Sequence, residues 1–270
     1  MLIDTHCHLE KALGRGEEAL VLERMNAAGV GRCISVGTSQ KDWETYYRLA
    51  GRQRGRVDWT VGIHPCDIGD DWQDQLKAIP TYFATDPEPV ALGEIGLDYF
   101  HLPKYPDEAA ESRQLQERVF REQLSLAYQL DCPVVIHSRN AVPECIRLID
   151  ESGINWERVV FHCFTEGPEW IEQIRVRGGR ASFTGIITYR NSSAEPVRQA
   201  ALRQGLETLM LETDSPYLAP EPVRGKPNEP AHVAHIAACV AGLFKMDVDE
   251  LSRLTSRNAM EFFALSDSCA

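Results

Sequence analysis

Eight short β-prone runs recur along the chain, each followed by a helical pattern. They are residues 2–6 (LIDTH), 32–37 (RCISVG), 57–64 (VDWTVGIH), 89–96 (PVALGEIG), 132–137 (CPVVIH), 158–164 (RVVFHCF), 180–185 (RASFTG) and 208–214 (TLMLETD). Between them, EEALVLERMNAAG, SRQLQERVFREQLSLAYQL, AVPECIRLIDESG and AEPVRQAALRQG place apolar residues three and four apart, the spacing of one helix face. Gly29, Gly153 and Gly205 stand where such patterns stop, as suits a left-handed helix end. Strands alternating with helices read as βαβ units on a parallel sheet. Eight units in 270 residues match an α/β fold of the (β/α)8 TIM-barrel type, with two or three additional C-terminal helices over 229–264. A doubly wound open sheet has the same periodicity and stays as the alternative. No linker, low-complexity tract or charge run divides the chain, so residues 1–270 read as one domain.

Composition then narrows the class. The chain is 43% hydrophobic and 25% charged, enough to bury a sizeable core. A net charge of −12 excludes the broad basic surface that coats nucleic acid regardless of sequence, and leaves local phosphate binding open. The eight cysteines (7, 33, 66, 132, 145, 163, 239 and 269) form no CxxC pair, and several lie in apolar stretches as small hydrophobes. The first apolar run meets Asp4 after three residues, unlike a signal peptide, and no segment approaches a membrane span. These features predict a reduced, cytoplasmic protein without structural disulfides.

The potential ligands fall at the ends of the β-prone runs. His6 and His8 end the first, His64 the third, His137 the fifth and Asp214 the eighth; Glu94 and His162 lie near the ends of the fourth and sixth. In a barrel these ends converge on one face, where active sites form. Histidine and carboxylate ligate divalent cations. Residues two apart on a strand share a side, so His6 and His8 can reach one ion while Cys7 turns away into packing. The donors are too many for one tetrahedral site, and two ions sharing a carboxylate fit them better. Singly, each residue has a plainer reading: Asp214 in LETDSP suits a turn, and Glu94 between glycines suits a loop. That reading must explain each position separately.

The ordered segments DTHCHLE, VGIHP, GEIGLDY, PVVIHSR, FHCFT and LETDSPYLAP resemble the TatD family of metal-dependent hydrolases, as do RGKPN and the late TSRNAMEFF stretch. The resemblance covers nearly the whole chain. It implies a TIM-barrel hydrolase of the amidohydrolase-like superfamily, with deoxyribonuclease activity, often 3′–5′ exonucleolytic, as the best-known function. It further implies that His6, His8 and Asp214 hold one metal, that His137 and His162 hold a second, and that Glu94 bridges them. Many superfamily relatives bridge with a modified lysine, and here Glu94 stands in that place.

The expected chemistry is attack by a metal-activated water on a phosphodiester of DNA, single-stranded by expectation. Asp214 and Glu94 serve it directly, with Asp214 taking the water's proton. His64 contacts the phosphate or donates a proton rather than ligating metal. Glu212 and Asp98 orient ligand histidines from behind. Arg139, Arg224, Lys226 and Asn228 are candidate substrate contacts, the last three in a Pro/Gly-rich loop after the eighth strand, where barrels often hold phosphate. The two ions are Mg, Mn or Zn. The competing function is a metal-dependent amidase or esterase, such as a D-aminoacyl-tRNA deacylase; a barrel that binds metal or a partner without catalysis is a third. No membrane or obligate protein partner is evident. One departure from the family pattern is the stretch FHLPKYPDEAAESRQLQERVF, longer than usual after GLDY, which brings His101, Lys104 and Tyr105 toward the pocket.

Overall fold

In the computed structural model, which describes residues 1–266, each β-prone run overlaps a strand. The strands are β1 (Leu2–Cys7), β2 (Val30–Ser35), β3 (Val57–Trp59), β4 (Leu92–Asp98), β5 (Val134–Arg139), β6 (Val159–Phe161), β7 (Arg180–Phe183) and β8 (Met210–Leu211). All pair in parallel, in the orders β1-β2-β3 and β4-β5-β6-β7-β8. Single bridges join the two arcs. Val61 pairs with Leu92 between β3 and β4, and Cys7 pairs with Ser215 between β1 and the end of β8. The amides of Gly93 and Asp214 donate across these seams to the carbonyls of Val61 (2.8 Å) and His6 (2.9 Å). Sequential order with both seams closed is a TIM barrel; an open doubly wound sheet reverses its strand order partway and never closes.

Helices alternate with the strands: α1 (Glu10–Gly14), α2 (Glu18–Ala27), α3 (Gln40–Arg52), α4 (Trp72–Tyr82), α5 (Pro106–Leu130), α6 (Val142–Ser152), α7 (Pro168–Arg175) and α8 (Ala194–Gln204). After β8 come a short 3₁₀ turn (Pro230–His232), then α9 (Val233–Phe244) and α10 (Val248–Phe262). The α5 helix begins six residues before its apolar pattern, because Pro106 sits at the helix start and Asp107 and Glu108 complement the positive end of the helix dipole. Gly153 ends α6 in the left-handed region (φ 74°), as its position in the sequence suggests. No single helix among the described residues is long and apolar enough to cross a membrane. The cysteines at 7, 33, 66, 132, 145, 163 and 239 are free thiols; Cys269 lies outside the described residues.

Two apolar layers hold the barrel. Outward strand residues such as Val57, Trp59, Leu92 and Val134 pack under the helices. Inside, Ile3, Ile34, Val135, Val160 and Met210 from both arcs form a separate cluster, closed below by Ala259, Phe262 and Phe263 from the end of α10. In that same helix Asn258 donates to the carbonyls of Leu206 (2.8 Å) and Leu209 (2.9 Å), fixing the approach to β8. The backbone draws close beneath the mouth: a Cβ on Gly62 would stand 2.7 Å from the Gly93 carbonyl carbon, and one on Gly93 would stand 2.6 Å from the Val135 Cβ. Only glycine lets β3, β4 and β5 draw together there, under Glu94.

Candidate metal centre

The C-terminal strand ends bring His6, His8, His64, Glu94, His137, His162 and Asp214 to one mouth. Glu94, buried on β4, divides its two oxygens. Oε1 lies 2.7 Å from His162 Nε2, 2.8 Å from His137 Nδ1 and 3.4 Å from His64 Nε2. Oε2 faces the other way, 3.4 Å from His6 Nε2 and 3.8 Å from His8 Nε2. On that side the two Nε2 atoms of His6 and His8 are 3.2 Å apart, and Asp214 Oδ1 stands 3.8 and 3.5 Å from them. On the other side His137 Nδ1 and His162 Nε2 are 3.3 Å apart. The His6 and His162 rings stack at 3.9 Å between the two groups.

These spacings suit cations. Donors about 2.1 Å from one ion at tetrahedral angles stand about 3.4 Å apart. His6, His8 and Asp214 satisfy this on one side of Glu94, and His64, Glu94 and His137 come within ligating reach of one another on the other. His6 Nδ1 is buried with no hydrogen-bond partner, so its imidazole is spent on the Nε2 side alone. The electrostatics agree. Burial disfavours the Glu94 carboxylate, yet His162, His64 and His137 outweigh burial and hold it well below its ordinary range. Asp214 is likewise lowered against burial by its hydrogen bond with His8 and by the histidine charges. Burial opposes charge on His162, but Glu94 and Glu212 raise it well above the usual range; Asp214 and Glu94 likewise raise His8 to about 9. His6 moves down, through burial and the neighbouring His162. The carboxylates are thus held toward the ionised form that a cation's ligands need.

Two buried carboxylates stand behind the histidines. Glu212 Oε1 accepts from the Cys163 amide (2.5 Å) and stands 3.5 Å from His162 Nδ1, while its Oε2 accepts from the Ser182 hydroxyl (2.5 Å). Asp98 divides its two oxygens between the loop and a histidine. Its Oδ1 caps the loop by accepting from the Phe100 and His101 amides (3.0 and 2.9 Å), and its Oδ2 faces His137 Nε2 (3.1 Å). Asp214 and Cys163 adopt left-handed backbones (φ 53° and 45°), an uncommon conformation for such residues that clusters at functional sites.

The other expected contacts divide. His64 lies within the donor cluster, nearer the ligand position than the sequence reading put it. Arg139 lines the cleft, a space of about 1340 Å³ that opens over the centre, with its guanidinium 4.0 Å above the Phe100 ring. Arg224 is exposed, stacked 4.1 Å from the Tyr189 ring, and Lys226 is exposed; neither lines the cleft. Of the extended loop, His101 lines the cleft, whereas Lys104 and Tyr105 stand outside it. Asn228 differs from expectation. It is buried, its Nδ2 donates to the carbonyls of Thr213 (2.9 Å) and Tyr217 (2.6 Å), and its Oδ1 meets the Glu229 amide (3.0 Å) and His232 Nδ1 (2.9 Å). All four bonding positions of the amide are occupied, which leaves none for substrate.

Two groups escaped the sequence reading. Asp4, fully buried, accepts from the Thr213 amide (2.8 Å) and hydroxyl (2.6 Å) and locks the seam between the His6 and Asp214 strands. A carboxylate inside the apolar run LID was the available signal. Tyr217, half exposed beside His8 at 6.3 Å between centroids, had no signal beyond lying in the segment DSPY.

A closed barrel carrying this carboxylate–imidazole cluster at its mouth defines a metal-dependent hydrolase. The chain belongs to the TatD related DNase family, whose sequence model matches residues 3–264. It is similar to the "Uncharacterized metal-dependent hydrolase YcfH" of Escherichia coli (strain K12), 35% identical over 274 residues covering 99% of this chain and 97% of that protein. It is also similar to the "3'-5' ssDNA/RNA exonuclease TatD" of Citrobacter koseri, 34% identical over 251 residues covering 91% and 92%. Among solved structures, the TatD homologue YJJV of Escherichia coli K12 superposes with a TM-score of 0.86 at 26% identity, over 98% of both chains.

Proposed function

We propose that this protein is a 3′–5′ exodeoxyribonuclease acting on single-stranded DNA through a two-ion centre, with the whole barrel as one catalytic domain working in the cytoplasm. The observation that carries the reading is the division of Glu94, whose two oxygens each face a separate set of donors. His6, His8 and Asp214 would hold one ion and His137 and His162 the other, with Glu94 available to both. Bound divalent cations (Mg, Mn or Zn) supply Lewis acidity toward water and a phosphate oxygen. Asp214, held ionised by His8, takes the proton of the attacking water. His64, whose Nε2 lies 3.4 Å from Glu94 Oε1, contacts the phosphate or protonates the leaving oxygen. Arg139 at the cleft wall binds the phosphate next to the scissile one, while Arg224 and Lys226 lend positive charge to the approach. Glu212 and Asp98 keep His162 and His137 aimed. The name of the Citrobacter relative supports a nucleic-acid strand as substrate.

The test is degradation of single-stranded DNA labelled at either end, with Mg²⁺, Mn²⁺ or Zn²⁺ added back after chelation, beside RNA and aminoacyl-tRNA. Stepwise shortening from the 3′ end, lost on chelation and in Glu94→Ala, is the expected result. Deacylation of aminoacyl-tRNA without any DNA cleavage would replace this reading with the esterase one.

A further inference from the structure

Beside the centre lies a second constellation of donors, of which only Asp98 also serves the proposed chemistry, through His137. Cys66 follows His64 in the turn after β3, Asp98 ends β4, and His101 sits in the extended loop. One ligand atom from each lies within 4.8 Å of the other two. His101 Nδ1 is 2.9 Å from Asp98 Oδ2. Cys66 and His101 are exposed, Asp98 is buried, and all three line the cleft. The Cys66 amide donates to His64 Nδ1 (3.1 Å), and Asp98 Oδ1 holds the amides of residues 100 and 101, so both arms of the cluster are fixed by the backbone.

We propose that Cys66, Asp98 and His101 form a third cation site, selective for a thiophilic divalent ion of the zinc type. Three chemical features carry this. Sulfur, nitrogen and oxygen donors together match Zn²⁺, whereas Mg²⁺ and Ca²⁺ seek oxygen alone. Three protein ligands at an exposed position leave one coordination place and an entry path from the cleft. Among the described residues no lysine or arginine forms an ion pair with Asp98, whose partners are His101 and His137. The site also has a built connection to the centre, because Asp98 Oδ2 faces both His101 Nδ1 and His137 Nε2 (3.1 Å). The His101 arm comes from the longer stretch after GLDY, which gives that insertion a chemical role.

The experiment uses the full chain, stripped by chelation and titrated with Co²⁺ and Zn²⁺. Cobalt bound by thiolate absorbs in the near ultraviolet by charge transfer, and cobalt bound by imidazole and carboxylate does not. The wild type should show that band, Cys66→Ser should lose it, and Cys163→Ser, altering the other thiol at the mouth, should keep it. Elemental analysis should find about one fewer equivalent of zinc per chain in Cys66→Ser and in His101→Ala. Absence of the band in the wild type, or its survival together with full stoichiometry in Cys66→Ser, would overturn the proposal. Glu94→Ala separates this site from the central one, since it should lose metal there and retain the thiolate band. Circular dichroism checks each variant's fold.

Discussion

Replacing Glu94 by glutamine tests the shared carboxylate most directly. The substitution keeps shape and volume while removing one charge and turning one oxygen into a donor. In the native protein Oε1 stands 2.7 Å from His162 Nε2 and 2.8 Å from His137 Nδ1, and Oε2 stands 3.4 Å from His6 Nε2. Glutamine must therefore direct an NH₂ group at one donor set and a neutral oxygen at the other. Removing a hydrogen-bond partner behind a metal ligand typically weakens metal binding about 10–100-fold. Losing a ligand shared by two ions exceeds that, so each ion should bind more than about 100-fold more weakly, or about 2.7 kcal/mol. The assay is calorimetric titration of chelator-stripped Glu94→Gln with Mn²⁺ and Zn²⁺, run beside the wild type. Both classes of bound ion should weaken together. Weakening of one class while the other keeps its native affinity would refute the sharing, and unchanged affinity for both would refute the centre itself.

Further perturbations separate the supporting roles. Glu212→Gln should weaken binding of the His162 ion about 10–100-fold, read by the same titration, and native affinity would confine Glu212 to holding the Cys163 turn. Asn228→Ala should cost roughly 2–4 kcal/mol in urea unfolding, because it strands buried carbonyls of Thr213 and Tyr217, while metal affinity stays near native. A loss of DNA affinity without a loss of stability would restore Asn228 as a substrate contact. Burial pushes Asp4 up to about 8 from its ordinary 3.8. The folded protein then keeps a proton that the unfolded chain has released, so stability falls as pH rises from about 4 to about 8. Asp4→Asn should flatten that slope in thermal unfolding, and equal slopes in the two proteins would refute the assignment.

Much of the site was legible because strand ends are legible. A β-prone run followed by a helical pattern fixes where each strand must stop, and His6, His8, His137, His162 and Asp214 stand at those stops. Convergence then follows from barrel closure, without any knowledge of distances. The closure itself was less legible, since it rests on single bridges at Val61–Leu92 and Cys7–Ser215 that carry no sequence pattern. Asn228 was misread for a related reason. A polar residue in a Pro/Gly-rich loop looks available to substrate, and only the fold reveals four internal partners around its amide. His64 was read as a phosphate contact or proton donor rather than a ligand, and what the sequence could not express is that β3 ends at Trp59 and the chain then passes close over Gly93. That approach, open only to glycine at position 62, carries the imidazole in to Glu94 Oε1.

The strand that supplies the paired histidines shows how far alternation can be trusted. Ile3 and Cys7 are four residues apart, so a regular strand would turn both to one face. They part company here: Ile3 belongs to the cluster inside the barrel, and Cys7 packs outside under the helices with its thiol on the Ile34 carbonyl (3.3 Å). The pairing of β1 with β2 slips between Asp4 and Cys7, which resets the alternation midway. The reset lets Ile3 fill the barrel floor while His6 and His8 still face the centre above it. Without it, an inward Ile3 would send both histidines outward. Asp4 borders the slip and is bonded to Thr213 on the far side of the seam, so the strand is tied across the seam just before its alternation resets toward the histidines.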